Sequence, residues 1–87
     1  MAWRINVHRD ATKQLEVIPP HRRERILNDI RELAEDPFRV VKPLKGKLFK
    51  GLYRKVSGRY RIIFEPIFAT RTVDVISFLP RNEGTYR

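Results

Sequence analysis

The sequence predicts a small α+β domain: an N-terminal strand, an antiparallel helical hairpin, then a three-stranded antiparallel meander, with the helices packed on one face of the sheet. Three observations carry that prediction. Residues 3–7 alternate apolar and polar with a period of two. Residues 10–36 place their apolar side chains at spacings of three and four, in two runs parted by Pro19-Pro20. Alternation then returns between residues 52 and 79 in three runs divided by turn residues. A chain of 87 residues is expected to form one domain, 1–87, with a compact core.

The first strand sets Trp3, Ile5 and Val7 against Arg4 and Asn6. Asp10 offers an N-cap oxygen to a short helix whose stripe is Ala11, Leu15 and Ile18, and the two prolines end it. Pro20 is suited to open the second helix, where Ile26, Leu27, Ile30, Leu33 and Ala34 share one face until Asp36-Pro37. Residues 37–51, with two prolines and two glycines, read as irregular. The runs Leu52–Val56 and Arg59–Glu65 flank Ser57-Gly58, which reads as a two-residue hairpin loop. That loop places Arg54 directly across from Arg61 and Val56 from Arg59, with Tyr53, Tyr60, Ile62 and Phe64 on the opposite, core-facing side together with Lys55. Pro66–Arg71 is expected to be a loop, Thr72–Leu79 the last strand and Pro80–Arg87 a polar tail.

Charge is distributed unevenly. Residues 37–64 hold nine Lys or Arg and no acid, while the other 59 residues balance ten basic against ten acidic side chains, so the net +9 resides in one stretch. Charge concentrated in this way draws in polyanions, and nucleic acid is the first partner to consider. With no cysteine there is neither a disulfide nor a thiolate zinc site, and His8 and His21 have no second histidine at ligand spacing. No metal and no cofactor is therefore expected. No apolar run approaches the roughly 20 residues that span a bilayer, and the N-terminus lacks a signal-peptide core, which makes the cytoplasm the expected location.

Two arginines facing each other on a sheet repel unless an anion lies between them, and two guanidinium forks suit a phosphate. Arg81, just after the last strand, is placed to join Arg54 and Arg61. Lys42, Lys45, Lys47 and Lys50 before the hairpin, with Lys55 and Arg59 on it, read as a rim that holds an RNA backbone. Trp3 reads as a strand-packing residue.

The run from Leu52 through Tyr53-Arg54-Lys55-Val56-Ser57-Gly58-Arg59-Tyr60-Arg61 to Phe64 resembles the signature of the RelE/ParE superfamily of type II toxin–antitoxin toxins. Pro43-Leu44-Lys45-Gly46 upstream and Val75-Ile76-Ser77, Arg81 and Tyr86 downstream extend the likeness over almost the whole chain. The resemblance implies a RelE-like fold and one of two activities. RelE-type members are ribosome-dependent mRNA endonucleases that act in the small-subunit decoding site, whereas ParE-type members inhibit DNA gyrase. It also implies an acidic RelB-like antitoxin, in a toxin–antitoxin hetero-oligomer. By matching positions, Arg54, Arg61, Arg81 and Tyr86 would form the catalytic set, without metal. Val56 departs from the pattern, since that position often carries a second basic residue, which Lys55, Lys50 or Lys47 would have to replace. The retained set favours the endonuclease; the alternatives are the gyrase inhibitor and a non-catalytic basic RNA-binding domain.

Overall fold

The computed structural model describes residues 2–81. A short strand β1 (Arg4–Val7) leads into helices α1 (Arg9–Val17) and α2 (Pro20–Glu35). A two-residue strand β2 (Lys42–Pro43) and a 3-10 turn (Lys47–Phe49) precede the long strands β3 (Tyr53–Ser57), β4 (Tyr60–Ile67) and β5 (Thr72–Pro80). The five strands form one sheet in the order β1-β5-β4-β3-β2, antiparallel except for β1, which runs parallel to β5. The expected meander is present, and β2 extends it at the edge beside β3. Nothing in two residues containing a proline signals a strand; its pairing with Tyr53 and Arg54 creates it.

The helices cover one sheet face. From α1, Ala11 is fully buried, and from α2 Ile26, Ile30 and Leu33, against Ile62, Phe64, Val73, Val75 and Phe78 of the sheet. The linker residue Ile18 is buried with them, and Arg23 reaches back to donate to the carbonyls of Leu15, Glu16 and Ile18, tying α2 to the C-terminus of α1. The N-cap of α1 is His8, not Asp10, which stands in the first turn where its charge suits the helix N-terminus. β1 pairs with β5 only through Val75, and beyond it the Gln14 side chain accepts a hydrogen bond from the Phe78 amide at 2.7 Å, so α1 satisfies a strand edge that β1 leaves open. At one end of the sheet Trp3 stands edge-on to Phe38 and Phe68, with the Arg71 guanidinium over its ring.

Two expectations about the strands are corrected. Pro66 lies within β4 opposite Val73, because β3 pairs with β4 only as far as Phe64 and no β3 amide partner is needed at the proline. The hairpin loop is Gly58-Arg59, with Ser57 paired to Tyr60. Gly58 has φ +60°, which a two-residue hairpin loop tolerates at its first central position, and there a Cβ would also meet the Arg25 side chain at 3.4 Å. Each β3 residue consequently pairs two positions further along β4 than a Ser57-Gly58 loop requires. A shift of two preserves every side chain's face, so the expected core-facing set of Tyr53, Tyr60, Ile62 and Phe64 is intact while the cross-strand partners change.

Candidate nucleic-acid interface

The face of β3 and β4 turned away from the helices carries Arg54, Val56, Arg61 and Ile63. Arg54 pairs with Ile63 and Arg61 with Val56, so the two arginines are diagonal neighbours and not directly opposed as the sequence reading had them. Diagonal Cβ atoms lie roughly 7 Å apart, so the two charges do not stand head-on as a direct pair would. Both side chains line the same cleft. The cation directly opposite Arg54 is Lys42 of β2. Three strands thus contribute one cation each to a short row, Lys42, Arg54 and Arg61.

Beside this row lies a cleft of about 700 Å³. Its outer wall is the segment 43–52, a loop closed by the Leu44 amide donating to the Leu52 carbonyl at 2.9 Å and stiffened by the 3-10 turn. Gly46 and Gly51, with φ +105° and +87°, make the two reversals that fold this segment onto the sheet, a conformation that side-chain-bearing residues rarely adopt. The inner wall is the sheet itself, through Ile63, Ile76 and Leu79. Arg54, Arg61 and Lys45 line the cleft, Lys42 flanks it, and Lys47 and Lys50 are exposed on the outer segment.

Arg81 sits at the hairpin end. Its amide donates to the Arg59 carbonyl at 2.6 Å, and its guanidinium lies 3.5 Å from the Gly58 carbonyl. Since Leu79 pairs with Arg61, Arg81 is brought to the Arg61 end of the row, and exposed Arg59 occupies the adjoining loop. Tyr86 lies outside the described residues.

Lys55 is placed elsewhere. The alternation of the hairpin sets it on the core-facing side, as observed, and its expected part in the basic rim is corrected: it is 5% exposed and its ammonium lies 3.4 Å from the Glu32 carboxylate of α2. The alternation of the strand decides this, since Arg54 and Lys55 must point to opposite sides. The sequence reading also missed the cleft and its wall residues Phe49, Ile76 and Leu79. The two glycines of residues 46 and 51 are the signal that the lysine-bearing segment folds back.

Away from the cleft, Asp74 accepts hydrogen bonds from the Asn6 amide at 2.6 Å and from His8, whose Nε2 lies 3.2 Å from its other oxygen. The Asn6 hydrogen bond, aided by His8 and opposed by partial burial, holds its carboxyl below the usual carboxylate range. Among the described residues no helix is long and apolar enough to cross a membrane.

Fold and face together define a class: a small α+β domain with helices on one side of its sheet and aligned cations on the other. Within that class, the chain belongs to a family described as ParE toxin of type II toxin-antitoxin system, parDE, which matches residues 5–84. It is a toxin of the RelE/ParE superfamily. Among solved structures, the chain resembles one in the archaeal RelE-RelB complex from Pyrococcus horikoshii OT3, with 25% identity and a TM-score of 0.81 over 95% of this chain and 99% of that one. It matches the toxin–antitoxin complex RelBE2 of Mycobacterium tuberculosis with 23% identity and a TM-score of 0.84, covering 93% of this chain and 100% of that one. The isolated E. coli RelE toxin gives 24% identity and a TM-score of 0.79, over 94% of this chain and 87% of that one. No curated protein matches the chain.

Proposed function

We propose that this toxin is a RelE-type endoribonuclease that cleaves mRNA in the small-subunit decoding site of the ribosome and is held silent by an acidic RelB-like antitoxin. The observation that carries the reading is the row Lys42, Arg54 and Arg61 on the sheet face turned away from α1 and α2, open to a cleft. Cations spaced across three strands suit consecutive phosphates of one RNA strand.

RNA breaks without metal or water when its own 2′-hydroxyl attacks the adjacent phosphorus. That hydroxyl must lose its proton, the phosphorane's charge must be stabilised and the leaving 5′-oxygen must gain a proton. Arg54 and Arg61 take the second task by donating to the non-bridging oxygens. Arg81, held at the hairpin end, meets the leaving oxygen, and Tyr86 takes the role of base that the family resemblance assigns to it. Such a set has little intrinsic acid–base power, so positioning of the message by the ribosome supplies much of the rate. A net charge of +9 fits an antitoxin of opposite charge, and relatives of this fold have been solved in complexes with RelB. The cytoplasm, where translating ribosomes are, is the implied location.

The family description favours a second reading, a ParE-type inhibitor of DNA gyrase. One assay separates them: the toxin is added to a cell-free translation system and message ends are mapped, with DNA supercoiling followed in parallel. Cuts within codons that require translation, and that fall at least 100-fold in Arg61→Ala and Tyr86→Phe, support the endonuclease. Intact messages with blocked supercoiling establish the inhibitor.

A further inference from the structure

The cleft beside the cation row has a feature that phosphate binding leaves unused. Its walls are mainly apolar, and one of them presents an aromatic ring: Phe49, at the end of the 3-10 turn, is 47% exposed. Among the described residues the other aromatic rings lie in the core, in the sheet or in the ring cluster around Trp3, where Phe38 and Phe68 are partly exposed but packed on one another. Phe49 instead belongs to a loop pinned by four backbone hydrogen bonds, among them its own amide to the Gly46 carbonyl at 3.1 Å. At Gly46 a Cβ would stand 3.6 Å from the ring, an ordinary contact distance, so this glycine lies against the ring and helps set its position. The result is a flat apolar surface that is ordered by its backbone and within the same cleft as Arg54 and Arg61.

A ligand for such a site carries a flat apolar body next to its negative charge. A nucleotide does so, because the base and the phosphate are joined through one sugar. An amphipathic helix does not: it segregates its carboxylates from its apolar face, so seating that face in the cleft would set hydrocarbon on the two guanidinium groups of the floor. Hydrogen-bonding capacity toward a base edge is small among the described lining residues, coming from Ser77 and Lys45 once the arginines are engaged with phosphate.

We infer that the cleft receives one unstacked base of a single-stranded RNA, stacked on Phe49 and walled by Leu44, Leu52, Ile63 and Leu79, while Lys42, Arg54 and Arg61 hold the flanking phosphates. This rests on the reading of the toxin as an RNA enzyme and adds to it a base-positioning residue. Recognition there is by shape and stacking, with Ser77 as the hydroxyl placed to discriminate among bases.

The test uses short, fluorescently labelled, fully 2′-O-methylated RNA, which cannot be cleaved, and measures affinity by anisotropy at low salt for the wild type, Phe49→Ala and Phe49→Trp. An abasic residue is walked along the strand. In the wild type, loss of the base at one position weakens binding by roughly 5- to 100-fold, the range of a base stacked on an aromatic side chain. Phe49→Ala weakens binding of the intact strand to the same extent and is then indifferent to the abasic residue, whereas Phe49→Trp keeps both affinity and position dependence. Unchanged affinity in Phe49→Ala overturns the inference, as does a loss that adds in full to that of the abasic strand or one seen only in antitoxin binding. If Arg54→Ala and Arg61→Ala weaken RNA binding while Phe49→Ala does not, the cleft assignment alone fails. A wild type that binds no RNA overturns the inference, while the endonuclease reading stands or falls separately on message cleavage by translating ribosomes. Circular dichroism of each variant establishes that its fold is intact.

Discussion

Asp74 joins β1 to β5 through its side chain as well as its backbone register. Both of its oxygens are engaged, by Asn6 and by His8, and its pKa is lowered on folding. The unfolded chain therefore takes up this proton more readily than the folded one. The stabilisation is present above the ordinary carboxylate pKa of about 3.9 and is lost as pH falls through the folded value. Asn6→Ala should cost about 1 kcal/mol at pH 7, and the gap from wild type should narrow as pH falls below the ordinary carboxylate range, as followed by urea denaturation at a series of pH values. Lys55 makes the contrasting case. Its ammonium is buried against Glu32, and an apolar replacement of similar length removes the need for that pairing. Lys55→Met is expected to change stability by less than about 1.5 kcal/mol and RNA affinity by less than about twofold, measured by denaturation and anisotropy. Lys42→Ala, in contrast, should weaken RNA binding and leave the melting temperature nearly unchanged.

At the scale of elements, the hairpin turn is the clearest test of why the sheet has its register. Gly58→Ala would force a Cβ into a positive-φ position beside Arg25 and should cost about 1 kcal/mol, or roughly 4–8 °C in melting temperature for a domain of this size, read by calorimetry. The same glycine explains how far the sequence could be read. A glycine commonly closes a two-residue loop, which is why the sequence points to Ser57-Gly58, but here the glycine opens the loop and Arg59 completes it. Side-chain faces were legible all the same, since alternation is a local property and survives a shift of two. Cross-strand partners were not, because they depend on one turn conformation. Long elements with strong periodicity, such as α2 and β5, lay close to their expected bounds. β2 had no local signal at all, being defined by its neighbour, and the cleft followed from that unseen strand and the loop after it.

Across the described residues, the exposed basic surface and the packed core lie on opposite sides of the sheet, with Lys55 the buried exception. Helices and core occupy one sheet face, and the cation row and cleft occupy the other. If Lys42, Lys45, Arg54 and Arg61 neutralise four phosphates of a single strand, log affinity should fall with log salt at a slope of about −3, or some 50-fold between 50 and 200 mM. Removing Lys42 should reduce the slope by about 0.7. A titration of anisotropy against salt measures both quantities.

That two-faced arrangement also has a genetic consequence. In a selection for cells that survive expression of the toxin, escape mutations should divide by position. Changes at buried residues such as Phe64 or Leu33 would yield protein that is degraded and leaves its antitoxin uncaptured. Changes at Arg54 or Arg61 would yield abundant, folded protein that still titrates the antitoxin away from any active copy in the same cell. If Arg54 and Arg61 carry the activity, the second group would be dominant in their effect on the toxin–antitoxin balance although inactive themselves.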